Sequence, residues 1–253
     1  MKAVRAKKFL GQHFLINEEI ASRITDLISN NNNKNVLEIG PGMGVLTKYL
    51  HEKNINLKLI EIDRESVLYL KNKIPELEHN IFEKDFLKIN LNEVYSQNLS
   101  IIGNFPYNIS SQILFKVYEN YEKVDIVVGM FQKEVAERVA SYSGRKKGIL
   151  SVLLQTFYDI EYCLTVDENQ FSPPPKVKSA VIRLVRNKRK KIDVDLKSYK
   201  MIIKAAYNQR RKTIKNALKS FNLKKDDKIK HLLKLRAENL SVNDFINITS
   251  NIQ

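Results

Sequence analysis

From Asn35 onward, short apolar runs alternate with longer amphipathic segments. This pattern is typical of a parallel sheet whose buried strands are connected by helices on its faces. The predicted strands are Asn35–Ile39, Leu57–Ile62, Asn80–Glu83, Ser100–Gly103, Val124–Met130, Tyr158–Val166 and Ser179–Val185. The predicted helices before and between them are Glu18–Ser29, Val45–Lys53, Arg64–Lys73, Ser110–Asn120, Lys133–Ala140 and Gly148–Phe157. The pattern therefore predicts an α/β fold with a seven-stranded sheet.

The last two predicted strands have no helix between them. They are joined by Asp167–Lys178, which contains three consecutive prolines, Pro173–Pro175. Strands that are joined without a crossover helix pair antiparallel, so we expect them to close one edge of the sheet.

The chain after Arg186 has a different character. Asn187–Lys191 is a charge run that indicates a solvated linker, and only helical periodicity follows it. The helices predicted there are Leu196–Tyr207, Arg211–Phe221, Asp226–Lys234 and Ser241–Ser250, the last with a serine cap. We therefore predict two domains, 1–186 with the sheet and 187–253 as a small all-helical domain.

Positive charge is concentrated in this second part. The chain has 253 residues and a formal charge of +15, and residues 187–253 carry 18 Lys/Arg against 6 Asp/Glu, or +12 of that total. A block of this kind attracts nucleic acid, because neutralising phosphates releases condensed counterions. The alternative is a solubilising basic surface without a dedicated partner.

The cysteine count and the absence of long apolar runs limit the possible cellular location and metal chemistry of the protein. Cys163 is the single cysteine, so we expect neither an internal disulfide nor a cysteine-bound metal, and no metal site is predicted. No segment approaches the roughly 18 consecutive apolar residues of a membrane span, and the basic N-terminus lacks the apolar run of a signal peptide. We expect a cytoplasmic protein with no membrane partner.

A glycine-rich loop follows the first predicted strand. Gly40, Gly42 and Gly44 lie between a strand and a helix, where glycine allows positive φ and lets the backbone approach a ligand closely. These glycines are candidates for binding a nucleoside cofactor. The third glycine comes two residues after the second, whereas the dinucleotide fingerprint places it three residues after, which disfavours a dinucleotide-dependent reductase.

Acidic residues follow the next two strands. Glu61 lies 21 positions after Gly40, near the spacing of about 20 at which a carboxylate meets ribose hydroxyls, and Asp63 is its rival at that strand end. Asp85 could accept a hydrogen bond from an adenine amine, with Phe86 beside the ring; the alternative for Asp85 is a loop or capping residue. Acids without a basic residue in the loop suit S-adenosylmethionine, which carries a sulfonium cation and no phosphate.

The fourth strand ends in Asn104-Phe105-Pro106-Tyr107, which resembles the Asn-Pro-Pro-Tyr motif of adenine amino-methyltransferases. The Asn104 side-chain oxygen and the Phe105 carbonyl can accept the two hydrogens of the poorly nucleophilic exocyclic amine. Pro106 stiffens the turn and Tyr107 would stack on the base. The alternative is a strand-end turn with Tyr107 covering the sheet. Phe171 provides a second wall for the base or, equally, simple core cover.

Together these segments resemble the ribosomal RNA small-subunit adenine dimethyltransferases, the KsgA family. The resemblance covers nearly the whole chain and rests on Lys8–Leu15, the Gly40 loop, Asn104–Tyr107, Phe131–Arg138, Phe171–Val177 and Arg210–Thr213. It implies a Rossmann-like class I methyltransferase sheet with a small C-terminal helical domain. It also implies dimethylation of two adjacent adenosines near the 3′ end of 16S rRNA in the assembling 30S subunit.

The resemblance implies site residues as well. It places the donor beside His13, Leu15, Gly40, Glu61, Asp85 and Asn104. Arg210, Arg211 and Lys212 are the candidates for RNA phosphate contacts in the basic tail. His13 stands where Asn is common in the family, and Phe105 replaces the usual Leu with little expected effect, since it acts through its carbonyl.

Two other functions compete with this one. A large-subunit rRNA adenine methyltransferase of the macrolide-resistance type shares the fold and the reactive motif, but the Arg210–Thr213 segment and the basic helical tail favour the small-subunit enzyme. A non-catalytic RNA-binding assembly factor is disfavoured by the intact acidic and Asn-Phe-Pro-Tyr positions. We expect the enzyme to act as a monomer on small-subunit rRNA.

Overall fold

A computed structural model describes residues 4–28, 34–224 and 226–252. Its strands are β1 (Phe14–Leu15), β2 (Asn35–Ile39), β3 (Asn56–Glu61), β4 (Ile81–Glu83), β5 (Leu99–Asn104), β6 (Val124–Gln132), β7 (Tyr158–Val166), β8 (Phe171–Ser172) and β9 (Ser179–Arg186). Seven of these strands form one sheet in the order β4-β3-β2-β5-β6-β9-β7. The predicted seven-stranded α/β sheet is confirmed.

The sheet is parallel from β4 to β6 and changes direction at β9. β2 pairs in parallel with both β3 and β5, and β5 pairs in parallel with β6, so the carboxyl ends of these strands lie at one edge. β9 runs antiparallel to β6, from the Ile126–Val185 pair to the Gln132–Ser179 pair. β9 and β7 are neighbours at the far edge, as predicted for the last two strands of the sheet.

The helices lie between the strands and fill the C-terminal part. They are α1 (Glu18–Asp26), α2 (Thr47–His51), α3 (Arg64–Lys73), α4 (Leu91–Val94), α5 (Ser110–Glu119), α6 (Lys133–Ala140), α7 (Ile149–Phe157), α8 (Leu196–Asn208), α9 (Ile214–Ala217), α10 (Asp227–Lys230) and α11 (Val242–Ser250). Ser241 caps α11, as predicted, by accepting from the Asp244 N–H at 3.2 Å. Within the described ranges, the structure contains no helix whose length and apolar content would let it cross a membrane.

Three predicted helices are shorter than the sequence pattern indicates by more than one residue, and a fourth is interrupted. The helix predicted from Arg211 begins at Ile214, because the Ile214 N–H donates to the Leu235 carbonyl rather than to the preceding turn, and it ends at Ala217. The segment predicted as Asp226–Lys234 is divided into α10 and a 3-10 turn. α2 covers only Thr47–His51 of the predicted Val45–Lys53. α1 ends at Asp26, and Ser29, the predicted end, lies outside the described residues.

A second, two-stranded sheet was not predicted. β1 pairs antiparallel with β8, with Phe14 opposite Ser172 and Leu15 opposite Phe171. The Ile16 N–H extends this pairing by donating to the Gln170 carbonyl at 2.9 Å. The pairing fixes the N-terminal segment to the loop that precedes β9, through contacts between residues far apart in sequence.

The chain divides into two compact units. The first comprises residues 1–136 and 160–186, and the second comprises residues 137–159 and 187–253. The cut after Arg186 coincides with the predicted boundary, whereas residues 137–159 were predicted in the first domain. They join the second unit because α7 packs against α8 and α11. The core of the first unit is a cluster of buried apolar side chains on the sheet and on α1 and α2.

Candidate active site

A cavity opens at the carboxyl edge of the sheet, where β2, β3, β4 and β5 end. The N-terminal segment from Leu10 to Phe14 forms another part of its wall. The predicted site residues that line it are His13, Gly40, Gly42, Glu61, Asp85, Asn104, Phe105, Pro106 and Tyr107. The parallel strand order brings them together, since it places the strand ends at one edge.

The turn after β2 depends on two glycines with positive φ, 66° at Gly40 and 56° at Gly42. The Gly40 N–H donates to the Ile60 carbonyl of β3 at 2.9 Å, which holds the turn against the sheet. A Cβ at Gly40 would meet only Pro106 Cδ within 4 Å, at 3.8 Å, so the backbone conformation rather than space disfavours a side chain there. A Cβ at Gly42 would lie 2.8 Å from the Phe14 ring. Both positions therefore require glycine.

Gly44 also has a positive φ, 79°, but it does not line the cavity. A Cβ there would lie 2.8 Å from Leu70 Cδ2 on α3, and the Gly44 N–H donates to the Pro41 carbonyl at 2.8 Å. That Gly44 binds the cofactor stays a prediction. Gly44 allows the turn to pack closely against α3.

Glu61 ends β3 with a buried carboxyl group beside the cavity. One oxygen accepts from the Gly42 N–H at 3.1 Å, and the other accepts from the N–H groups of Ile62 and Asp63 at 2.8 and 2.9 Å. Burial raises the pKa of Glu61, and these backbone hydrogen bonds oppose the rise. The oxygen that accepts from Gly42 has a second lone pair left, so the group can also receive a hydroxyl donor from a ligand.

Asp63, the rival of Glu61, does not line the cavity. Its carboxylate accepts from Lys7 Nζ at 2.5 Å and from Gln12 Nε2 at 3.1 Å, and it caps α3 through the Glu65 N–H. Burial alone would raise the pKa of Asp63, but the hydrogen bonds from Lys7 and Gln12 hold it below its ordinary value. Asp63 therefore anchors the N-terminal segment. Sequence reasoning gave no role to Lys7 or Gln12, because their contacts with Asp63 are not local.

Asp85 and Phe86 follow β4 and line the cavity. One Asp85 oxygen accepts from the Leu87 N–H at 2.9 Å, which folds the segment into a tight turn. Phe86 is buried, and the Lys116 ammonium lies 5.0 Å from its ring centroid. The turn leaves the second Asp85 oxygen as an acceptor at the cavity, although Lys88 Nζ approaches it to 3.9 Å.

Asn104 has a defined orientation. Its side-chain nitrogen donates to the His13 carbonyl at 2.8 Å. A carbonyl only accepts hydrogen bonds, so the nitrogen must face His13, and the side-chain oxygen is left as an acceptor. The next residue is held as well, because the Phe105 N–H donates to the Met130 carbonyl of β6 at 3.2 Å. The motif is thus fixed between the N-terminal segment and the sheet.

The Phe105 ring is buried against Phe131, with ring centroids 5.2 Å apart in an edge-to-face arrangement. Gly103 and Gly129 make room for it. A Cβ at Gly103 would lie 2.7 Å from the ring, and a Cβ at Gly129 would collide with its other side. These glycines explain how the motif accommodates an aromatic residue here.

Tyr107 is held by contacts to its hydroxyl group and to its ring. Its hydroxyl is hydrogen-bonded to the Ser179 hydroxyl, and its ring centroid lies 5.4 Å from that of His13 at an interplanar angle of 31°. Burial raises the pKa of Tyr107, so the phenol stays neutral at physiological pH. His13 Nδ1 lies 2.8 Å from the Pro173 carbonyl and must carry the hydrogen, since a carbonyl only accepts. No local sequence signal identified Ser179 as a partner of Tyr107.

Leu15 and Phe171 are not part of this cavity. Both are buried in the core of the first unit, with exposed fractions of 2% and 3%, and they face each other across the β1–β8 pair. Leu15 borders a smaller cavity behind Gly40 and Asn104. Of the two alternatives for Phe171, the burial of its ring beside Leu15 favours core cover, and its role as a second wall for the base stays a prediction. Leu15 shares this smaller cavity with Gly40 and Asn104 and so packs next to the site.

The three predicted phosphate-binding residues differ from one another. The Arg210 guanidinium donates to the carbonyls of Arg145 and Lys147, and its Nε lies 3.6 Å from the Glu238 carboxylate. These partners all lie in the second unit. Arg211 is exposed, and Lys212 is exposed with Nζ 2.8 Å from the Gln209 side-chain oxygen. Arg210 is therefore committed to the fold, while Arg211 and Lys212 face solvent.

The cavity suits a cationic nucleoside better than a phosphate. Glu61 and Asp85 line it, and Lys84 at its wall lies 4.0 Å from the Glu93 carboxylate. Phosphate sites use free backbone N–H groups at such a turn, but those of Gly42 and Gly44 are already bound to Glu61 and Pro41. The residues thus fit S-adenosylmethionine.

Known proteins similar to this chain point to the same chemistry. The model of the ribosomal RNA adenine dimethylase family matches residues 3–253. The ribosomal RNA small subunit methyltransferase A of Cytophaga hutchinsonii is 53% identical over 253 residues, which cover 99% of this chain and 98% of the relative.

Two solved structures are similar in fold. A dimethyladenosine transferase from Plasmodium falciparum has a TM-score of 0.76 at 23% identity, covering 95% of this chain and 99% of that one. The 23S rRNA methyltransferase ErmE has a TM-score of 0.72 at 22% identity, covering 94% and 99%. At such identities these structures establish the α/β methyltransferase fold alone. The family model and the 53% identical relative span nearly the whole chain, and this chain therefore belongs to the ribosomal RNA adenine dimethylase family.

Proposed function

We propose that this chain transfers methyl groups from S-adenosylmethionine to the N6 amines of two adjacent adenosines near the 3′ end of 16S rRNA, in the assembling small ribosomal subunit. Family membership makes it an S-adenosylmethionine-dependent rRNA adenine dimethyltransferase. The observation that carries the proposal is the orientation of Asn104, whose nitrogen is bound to the His13 carbonyl and whose oxygen is free to accept. The name of the 53% identical relative supports the small-subunit target over the large-subunit one.

The donor would be held at the ends of β2, β3 and β4. Gly40 and Gly42 would let its methionine part approach the backbone, Glu61 would accept from the ribose hydroxyls, and Asp85 would accept from the adenine amine. When bound, S-adenosylmethionine supplies an electrophilic methyl group. The residues are set for this before binding, because backbone hydrogen bonds already fix Glu61 and Asp85.

The target adenine would lie against Asn104–Tyr107. The Asn104 oxygen and the Phe105 carbonyl would accept the two amine hydrogens, which localises the nitrogen lone pair for in-line attack. Tyr107 would stack on the base, with its ring restrained by Ser179 and His13. The alkylated amine is acidic, so its proton can leave to an acceptor or to water without a strong general base.

The second unit would hold the RNA. Arg211 and Lys212 are exposed and supply charge to phosphates, whereas Arg210 would shape the neighbouring turn through the Arg145 and Lys147 carbonyls. The +12 charge of residues 187–253 supports a polyanionic partner. We propose that the enzyme works in the cytoplasm as a monomer.

The direct test is methyl transfer from labelled S-adenosylmethionine to under-methylated small ribosomal subunits, followed by mapping of the modified bases. We expect dimethyladenosine at two adjacent positions near the 3′ end. Asn104→Ala should lower the rate by about 100-fold or more, the usual cost of removing one such acceptor or donor. Asn72→Ala is a matched control, because Asn72 is exposed on α3 and bonds only the Leu68 carbonyl.

The outcomes separate the candidate functions. Transfer to large-subunit RNA instead would favour the macrolide-resistance type of enzyme. Donor binding without transfer to either subunit would indicate another RNA substrate. A protein that binds small subunits but no donor would be an assembly factor, and the proposal would fail.

A further inference from the structure

A lysine outside the cavity holds the turn that carries Asp85 and Phe86. Lys116 lies on α5, and its ammonium donates to the carbonyls of Phe86 at 2.7 Å, Leu87 at 3.1 Å and Ile89 at 2.5 Å. Lys116 does not line the cavity, whereas Asp85, Phe86 and Leu87 do. The contact therefore reaches the site only through the backbone of this turn.

The match between donors and acceptors is complete. An ammonium group has three hydrogens, and three carbonyls are within hydrogen-bond distance. The Phe86 ring adds a cation–π contact at 5.0 Å. Burial lowers the pKa of Lys116, while the carboxylates of Asp85 and Glu119 oppose this. An apolar side chain could not replace these contacts, and the converging carbonyls would then be left without a donor.

The position of α5 in the chain connects the Lys116 contacts to the reactive motif. α5 begins at Ser110, three residues after Tyr107, so the helix that carries Lys116 continues directly from the motif that would bind the target base. Lys116 thereby links the Asp85 turn to the Asn104–Tyr107 motif. Reacting groups must be held to within a fraction of an ångström, since a displacement of about 1 Å can cost about 100-fold in rate.

We propose that Lys116 is a positioning residue that fixes the turn recognising the adenine of the methyl donor relative to the motif that binds the target base. This inference rests on the proposed placement of the donor in the cavity. It concerns a residue that no sequence motif singled out, because the three carbonyls are brought together only by the fold.

The test compares Lys116→Met with Lys58→Met in the full-length protein. Lys58 is a matched control, since its ammonium donates to the Val94 carbonyl at 2.6 Å and lies over the Tyr95 ring, away from the cavity. Binding of S-adenosylhomocysteine is measured by calorimetry, and amide hydrogen exchange is measured over Asp85–Ile89. We expect Lys116→Met to weaken binding about tenfold and to speed exchange in this turn, with neither change in Lys58→Met.

A purely structural role would give a different result. If Lys116→Met lowers Tm but leaves S-adenosylhomocysteine affinity within about twofold of wild type, the proposal is overturned. Lys116→Gln, which retains two N–H donors, serves if the methionine variant does not fold, and it should weaken binding less. Should the wild-type protein bind no S-adenosylhomocysteine, the proposed function itself fails, which separates the two hypotheses.

Discussion

The strand ends of the first unit and the basic segment of the second unit differ in how well the sequence predicts which residues can contact a ligand. At the strand ends, Gly40, Glu61 and Asn104 all line one cavity, because parallel pairing fixes where each strand ends. In the basic segment, Arg210 binds backbone carbonyls while Arg211 beside it is exposed. Topology determines the positions of strand-end residues, whereas charge alone does not tell whether an arginine is free for a partner.

The first unit also contains a buried acidic residue, Glu38, that lies inside a strand and not at its end. Glu38 lies within β2, is buried, and accepts from the Thr47 hydroxyl at 2.8 Å. Burial raises the pKa of Glu38 to about 8 from its ordinary value of 4.5. The folded protein therefore keeps the proton up to about pH 8, while the unfolded chain loses it above about pH 4.5.

The largest expected effect is on stability and follows from this difference. The contribution of Glu38 to the free energy of unfolding is fully present below about pH 4.5. It is lost as the pH rises towards about 8, by up to about 1.4 kcal/mol per pH unit. Glu38→Gln removes this dependence, so by pH 7 it should be more stable than wild type by up to about 3 kcal/mol. Urea unfolding without donor at pH 5 and pH 7 measures this. A constant difference between the two proteins at both pH values would contradict it.

Much of the first region could be predicted because its signals are local. β2, α3 and β7 have the predicted bounds, since each is a short apolar or amphipathic run with clear ends. The choice between Glu61 and Asp63 could not be made, because both follow the same strand and only the fold brings Lys7 to Asp63.

Contacts between distant residues were likewise beyond the sequence pattern. The burial of Phe171 depends on pairing with Leu15, which lies more than a hundred residues earlier. The same holds for Arg210 and the turn at Arg145 and Lys147. Periodicity and spacing report the local conformation, so they leave such pairings undetermined.

The second prediction distinguishes Glu61 from Asp63 as the acid that binds the methyl donor. Glu61→Gln places an amide nitrogen against backbone N–H groups, so it should weaken S-adenosylhomocysteine binding by about 10- to 100-fold. Asp63→Asn should change affinity only a few-fold, because its contacts are with Lys7 and Gln12. Calorimetry on both variants makes the comparison, and a larger loss in Asp63→Asn would reverse the assignment.

The smallest expected effects are in the basic segment. Arg211→Gln and Lys212→Gln should each reduce the slope of log affinity against log salt by about one for small-subunit rRNA, and leave Tm unchanged. Arg210→Gln should instead lower the free energy of unfolding by about 1–2 kcal/mol, because the carbonyls of Arg145 and Lys147 lose their donor.

Lys230→Gln is the matched control for this series, since it removes the same charge from the second unit at a residue already 3.6 Å from the Asp227 carboxylate. Filter binding at several salt concentrations gives the slopes, and urea unfolding gives the stabilities. If Lys230→Gln changes the slope as much as Arg211→Gln does, the basic unit acts through its net charge alone. If only Arg211→Gln and Lys212→Gln change it, the phosphates are bound at defined positions, and Arg210 acts by holding the fold beside them.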